Sequence, residues 1–157
     1  MITEQVASLL EAAGVPFEPL AHERTETALA ESRTLGVAPA AVAKTIVVAS
    51  PDGHVRTVVP ASERLDLRKV RTFLGLRKGD MRLLSEDELA HDYPEFELGA
   101  VPPFGGAHED RVLVDRRLLD HQQIVLEGGT HDASLRMATG DLVRLTAAEV
   151  LDICQED

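Results

Sequence analysis

Residues 45–59 read TIVVASPDGHVRTVV and decide the fold class. Two runs rich in Val, Thr45–Ala49 and Val55–Val59, flank the turn sequence Ser50-Pro51-Asp52-Gly53. β-branched residues favour strands, and Asp-Gly between two such runs is typical of a two-stranded hairpin. The stretch therefore predicts an antiparallel β-hairpin.

Helix and strand signals alternate irregularly on both sides of this hairpin. Capping residues, apolar periodicity and terminal glycines predict three helices, at Thr3–Ala13, at residues 25–35 and, after Asp66, at Leu67–Leu74. Two capping boxes predict the start of two more helices. One is a short helix from Ser85, and the other begins at Thr146-Ala147-Ala148-Glu149. Alternating apolar residues predict further strands at Val15–Leu20, Arg111–Asp115, Gln123–Leu126 and Ser134–Met137.

The mixture of helices, strands and a hairpin favours an α+β fold over a parallel doubly wound sheet. The 157 residues suit one domain, 1–157, because no linker divides them. The single cysteine, Cys154, cannot form an internal disulfide, which fits a reducing cytoplasm. We expect no secretory segment and no membrane span, because the first fifteen residues have no basic region and no apolar run reaches about 18 residues.

Charge is distributed unevenly along the chain. The net charge is −11, yet Arg64–Arg82 contains seven basic and two acidic residues, a surplus of 7 − 2 = 5 positive charges. We call this segment the basic island. The basic island could bind several consecutive phosphates of a nucleic acid while the acidic remainder of the chain repels other polyanions. Alternatively, it could be a solvated arginine-rich helix.

Several common chemistries have no motif in this sequence. It has no GxSxG elbow, no phosphate-binding GxxxxGK[ST] loop, no HExxH and no CxxC. The six histidines lie far apart, so no zinc or other metal site is predicted. Cys154 is expected to pack as a small apolar residue on the last helix.

Lys44 is an unusual residue in an arginine-rich chain. The chain has thirteen Arg and three Lys, and Lys44 opens the apolar strand at Thr45. A compact ammonium in that position could act as a point charge for a phosphate or a carbonyl oxygen. The alternative is a strand-end lysine that extends to solvent.

Two glycine-rich segments complete the set of candidate site elements. The loop Gly99–Gly106 could expose backbone N–H groups that polarise an ester carbonyl, or it could be a rigid connector. Gly128-Gly129-Thr130-His131 follows a predicted strand and could place His131 in a cleft as a general base, although a surface or core histidine is the commoner case.

Taken together, these segments resemble the YbaK/ProX family, also found as the editing insertion of bacterial prolyl-tRNA synthetases. The resemblance covers about residues 5 to 150. The segments that carry it are His22 with Thr27, VAKTIVV at Val42–Val48, LDLRKV at Leu65–Val70, GAVPPFG at Gly99–Gly105, and EGGTH at Glu127–His131 followed by SLRM.

The resemblance implies a single α+β domain with a mixed, barrel-like β-sheet flanked by helices. It implies a trans-editing hydrolase of mischarged tRNA, with a tRNA-Pro-type substrate, a synthetase as a further partner, no cofactor and a cytoplasmic location. The residues expected to act in catalysis are Lys44, Gly99, Ala100 and His131. Those expected to bind substrate are His22, Thr27, Thr45, Val101, Pro103, Gly128, Gly129 and Ser134, and those expected to bind tRNA are Arg68, Lys69 and Arg71.

The sequence departs from the cysteinyl-tRNA-Pro deacylases of that family at two positions. Those carry Ser-Gly-Gly and then an Asp on the next strand, whereas Glu127 and Ser134 stand at these places here. The amino acid removed is therefore left open. Two alternatives also stay open: a non-catalytic tRNA- or synthetase-binding module, and a small-molecule-binding regulator whose basic island is only solvated.

Overall fold

The computed structural model describes residues 2–156, which fold into five α-helices and eight strands. The helices are α1 Glu4–Ala12, α2 Ala28–Leu35, α3 Leu67–Leu74, α4 Glu86–Asp92 and α5 Thr139–Thr146. The strands are β1 Phe17–Ala21, β2 Ala43–Ser50, β3 Gly53–Pro60, β4 Arg82–Leu83, β5 Arg111–Asp115, β6 Gln123–Thr130, β7 Ala133–Ala138 and β8 Glu149–Leu151.

The predicted hairpin is confirmed as β2 and β3, which pair antiparallel with Val48 opposite Val55. The Ser50 hydroxyl closes the turn by donating to the Gly53 carbonyl at 2.7 Å. The helix signals are also confirmed for α1 to α4. The Asp66 carboxylate accepts N–H groups from the first turn of α3. Thr27 caps α2, which therefore begins three residues later than its apolar pattern suggested.

The strands form two sheets, so the α+β class is confirmed and the barrel-like sheet is wrong. The larger sheet has the order β4-β2-β3-β5-β8 and is mixed, since β5 runs parallel to both β3 and β8. The smaller sheet, β1-β7-β6, is antiparallel. One isolated bridge between Val42 and Val125 links them. The larger sheet ends in strands of two and three residues, which provide no ladder to close a barrel.

The C-terminal helix predicted from the capping box at Thr146 is also wrong. Thr146 ends helix α5, and its hydroxyl donates back to the Leu142 carbonyl. Ala147 then adopts a left-handed conformation with φ of 50°. Glu149 instead begins β8, where it lies opposite Leu113. Pairing with the sheet outweighs the local capping signal.

The main apolar core lies between the two sheets, and a second apolar cluster packs α3 against the larger sheet. Val70 of α3 meets Val59, Leu113 and Ile153 there. Cys154 is buried in the same cluster, as expected, although it follows a strand rather than lying on a helix. No helix within residues 2–156 is long and apolar enough to cross a membrane.

Candidate active site

One cavity of about 390 Å³ brings together most of the sequence segments that were singled out. Its walls come from the entrance to α2, the start of β2, the loop after Leu98, and β6. The residues that line it are Glu26, Thr27, Ala28, Leu29, Ala43, Lys44, Thr45, Ile46, Ala61, Gly99, Val101, Pro102 and Glu127.

Lys44 lies in this cavity and is partly buried. Burial lowers the pKa of its ammonium below the usual value, and nearby Arg64 lowers the pKa further, whereas Cys154 acts in the opposite direction. Within residues 2–156, no carboxylate forms an ion pair with Lys44. The ammonium is therefore available to an anionic or carbonyl ligand.

The loop after Leu98 forms another wall of the cavity. Gly99 adopts φ of 83°, a conformation that side chains disfavour, and its backbone borders the cavity. The amide groups of Gly99 and Val101 donate no hydrogen bond to any described residue. The Ala100 amide, in contrast, donates to the Glu97 carbonyl at 2.9 Å. Ala100 is thus unsuited to the oxyanion role predicted for it, whereas Gly99 and Val101 remain suited.

Arg56 anchors the far end of this loop, a role that sequence reasoning missed. Its guanidinium is 1% exposed and donates to the carbonyls of Pro102 at 2.9 Å and Gly105 at 2.7 Å. It also pairs with Asp110 at 2.8 Å. Only its place inside a valine-rich strand could have drawn attention to it.

His131 anchors the near end of the loop from behind. It is 2% exposed, and its Nε2 donates to the Leu98 carbonyl at 2.5 Å. A Cβ atom added to Gly99 would lie 3.5 Å from the imidazole. The ring therefore packs beneath the loop and does not line the cavity. The prediction that His131 faces the cleft is therefore wrong, because its ring contacts the Leu98 carbonyl instead. Its role as a general base stays a prediction.

Glu127 is the cavity residue whose environment is most unusual. Its carboxyl lies 3.2 Å from His131 Nδ1, but the two atoms, Glu127 Oε2 and His131 Nδ1, do not meet in hydrogen-bond geometry and have no other partner among the described residues. Burial raises the pKa of Glu127 to about 9, and nearby Glu31, Glu26 and Glu97 raise it in the same direction. These surroundings therefore favour the protonated acid at neutral pH.

Five predicted substrate-binding residues lie outside this cavity. Ser134 is buried and donates to Glu31, while His22 Nε2 lies 2.9 Å from the Ser134 hydroxyl. Pro103 borders a separate cavity beside Phe104. Gly128 and Gly129 pack against residues 2 and 3, so that a side chain at either position would collide with them. Of the eight predicted substrate-binding residues, the cavity contains Thr27, Thr45 and Val101.

In the basic island, Lys69 is occupied by hydrogen bonds, whereas other basic side chains line an open groove. Lys69 donates to Asp152 at 3.0 Å, to Glu156 at 2.7 Å and to the Cys154 carbonyl at 2.6 Å. Arg68 and Arg71, together with Lys78, line an open groove. No residue lines both this groove and the Lys44 cavity.

The fold is that of an aminoacyl-tRNA editing domain. The chain belongs to the aminoacyl-tRNA editing domain family, whose model matches residues 22–145. That range contains every residue that lines the cavity. The resemblance found in the sequence is thereby confirmed.

Similar proteins extend this match over the whole fold. The protein YwhH of Bacillus subtilis, described as uncharacterized, is 26% identical over 127 residues, covering 80% of this chain and 78% of YwhH. The crystal structure of “hypothetical protein APE2540” is 27% identical with a TM-score of 0.87, covering 97% of this chain and 100% of that one. A “putative trans-editing enzyme for prolyl tRNA synthetase” is 25% identical with a TM-score of 0.85, covering 99% and 100%.

Proposed function

We propose that this protein is a trans-editing deacylase that hydrolyses the ester between a wrong amino acid and a tRNA of the tRNA-Pro type. The observation that carries the proposal is that Lys44, partly buried and without an ion-pair partner among residues 2–156, lines the same cavity as the Gly99 and Val101 amides, which donate to no described residue. Family membership supports an editing role. The description of one similar structure as a trans-editing enzyme supports the choice of tRNA.

The cavity groups suit hydrolysis without a protein nucleophile. Lys44 holds a phosphate oxygen of the terminal nucleotide, and the Gly99 and Val101 amides stabilise the oxyanion that forms when water adds to the ester carbonyl. The bond to the ribose oxygen then breaks, and that oxygen takes a proton derived from the attacking water. The products are the free amino acid and tRNA with its terminal hydroxyls restored.

The surroundings of the cavity support selection of a small amino acid. A volume of about 390 Å³ lies near the lower end of the range of about 300–1,000 Å³ for ligand sites. A synthetase rejects a smaller amino acid by only about 1–3 kcal/mol per missing methylene, so a second hydrolytic site improves accuracy. Arg56 and His131 hold the loop that carries the oxyanion donors. Arg68 and Arg71 offer positive charge to tRNA phosphates.

The test is deacylation of Ala-, Cys- and Ser-tRNA-Pro and of Ser-tRNA-Ala by the wild type and by Lys44→Ala. We expect rapid loss of at least one tRNA-Pro species and a sharp reduction of that activity in the variant, with the thermal unfolding midpoint preserved. If no species is deacylated while tRNA still binds in a salt-dependent way, the protein is a non-catalytic tRNA-binding module. Equal activity in Lys44→Ala would contradict the role of the lysine.

A further inference from the structure

The cavity has a basic side chain, Lys44, and an acidic side chain, Glu127, in two separate electrostatic surroundings. The ionisable groups close enough to perturb Lys44 are Arg64 and Cys154. The groups that perturb Glu127 are Glu31, Glu26 and Glu97. Glu127 is not among the groups that perturb Lys44, and Lys44 is not among those that perturb Glu127, although both line the same cavity. The cavity therefore has a cationic end and an acidic end.

Glu127 at the acidic end has the His131 imidazole, whose Nδ1 lies 3.2 Å away, as its one basic neighbour among residues 2–156. Its side chain is 13% exposed, and no Lys or Arg in the described part of the chain pairs with it. The groups facing it are Glu31 from α2, Glu26 before α2, Glu97 from the loop and His131 from the β6–β7 turn. His131 already donates one ring N–H to Leu98, and its other nitrogen forms no hydrogen bond with Glu127. A buried carboxyl left in this condition is costly for folding and marks a functional position.

We propose that Glu127 binds the α-ammonium group of the aminoacyl ester, so that the site selects esters whose amino group is free. This inference rests on the proposed editing function and identifies the class of substrate. An aminoacylated terminal nucleotide carries an ammonium at one end and a phosphate at the other. That charge distribution matches the acidic end at Glu127 and the cationic end at Lys44. N-acylated and peptidyl esters lack the ammonium and would leave Glu127 without its counter-charge.

Binding the ammonium also moves a proton. Before a ligand binds, the Glu127 carboxyl retains its proton at neutral pH, because it is buried among other carboxyls. An ammonium placed beside it favours the carboxylate, so the carboxyl O–H ionises and the proton passes to the buffer. At pH 7 the ligand amine is itself mostly protonated, since a free α-amino group has a pKa of about 8. We therefore expect close to one proton released for each ligand bound.

The first experiment compares Ala-, Ser- and Cys-tRNA-Pro with their N-acetyl derivatives as substrates of the wild type and of Glu127→Gln. The wild type should prefer the free amine by at least about 30-fold, the value expected when one partner of a buried charge pair is missing. Glu127→Gln should reduce this preference to about threefold or less by slowing hydrolysis of the free amine. Glu18→Gln changes a β1 carboxylate that pairs with Arg136 and serves as the matched control.

The second experiment measures binding of non-hydrolysable 3′-aminoacylamido-3′-deoxyadenosines, with alanine, serine or cysteine, by calorimetry at pH 7 in buffers of different ionisation enthalpy. The wild type should release about one proton and Glu127→Gln none. If the wild type hydrolyses free and N-acetylated esters equally, the role of Glu127 is overturned and the editing function stands. If nothing is hydrolysed but binding releases the proton, the function is overturned and the ammonium site stands. If there is neither hydrolysis nor proton-coupled binding, both are overturned.

Discussion

Two lysines on neighbouring elements of this protein have opposite surroundings. Lys69 on α3 donates to two carboxylates and a carbonyl, and these bonds raise the pKa of its ammonium. Lys44 on β2 is partly buried with no such partner, and its pKa is lowered. In the sequence, Lys69 lies within a cluster of basic residues and Lys44 within an apolar strand. The charge left free for a ligand is the isolated one.

The contrast extends to the regions around the two lysines. Around Lys69, Asp152 also accepts from Arg117, and the Asp66 amide donates to the Ile153 carbonyl. These contacts fasten the C-terminal segment to α3 and leave little for a ligand to bind. Around Lys44, the cavity instead has two amides that donate to no described residue and a carboxyl oxygen of Glu127 that accepts no hydrogen bond within residues 2–156. A region whose polar groups are all satisfied contributes stability, whereas unsatisfied groups around a cavity indicate binding.

The largest expected effect comes from replacing each lysine by methionine, which preserves length and removes charge. Lys44→Met should lower the single-turnover deacylation rate by about 100-fold or more, the usual effect of losing one group that stabilises the transition state. Its unfolding midpoint should stay the same or rise, because an unpaired and partly buried charge is lost. Lys69→Met should keep the rate within about threefold and lower the unfolding midpoint, because three bonds are lost. The reverse pattern would refute the contrast between the two lysines.

An intermediate effect is expected from the arginines of the basic island that remain unpaired. The double variant Arg68→Glu and Arg71→Glu should weaken tRNA binding about tenfold and lower the slope of log affinity against log salt by about 1–2, because phosphate contacts are lost. Filter binding at several salt concentrations measures both quantities.

The control carries the same charge reversal at Arg136 and Arg144, which pair with Glu18 and Asp141 and border a different part of the surface. It should bind tRNA like the wild type apart from a small effect of net charge. Equal weakening in both double variants would mean that total charge, and not the groove, determines affinity.

Local signals predicted the elements that local chemistry determines. The turn at Ser50–Gly53 and the caps at Asp66 and Gly75 each act within a few residues, and the structure confirms them. Lys44 and Gly99, which the family resemblance placed in one site, border the same cavity.

What the sequence failed to predict depends on contacts between distant residues. The ring of His131 is turned towards Leu98, 33 residues away, and Gly128 packs against the second residue of the chain. The capping box at Thr146 predicted a helix, but the residues after it form β8, because β8 pairs with β5. Burial of Glu127 likewise depends on α2 and on the loop after Leu98. None of these long-range contacts produces a periodic pattern or a fixed motif spacing that could be recognised in a single sequence.

The smallest expected effect concerns the pH dependence of stability. It compares Asp152, which has cationic partners, with Glu127, which has neither a Lys nor an Arg partner among the described residues. Asp152 is bonded to Arg117 and Lys69, which lower its pKa to about 2. Its contribution to stability is present at neutral pH and is lost as the pH falls through that value. Glu127 has a folded-state pKa raised to about 9, against 4.5 when unfolded. Between these values the folded state holds a proton that the unfolded state has lost, so this group makes stability fall as pH rises.

Glu127→Gln should therefore remove this slope. Its free energy of unfolding should match the wild type near pH 4.5 and exceed it by on the order of 1–3 kcal/mol at pH 9, the cost of a buried polar group without a partner. Urea unfolding at pH 4.5, 7 and 9 measures the difference, and Glu18→Gln should follow the wild type throughout. A constant difference between Glu127→Gln and the wild type at all three values would mean that the carboxyl is already ionised in the folded protein. The cavity would then hold a permanent negative charge, and ammonium binding would release no proton.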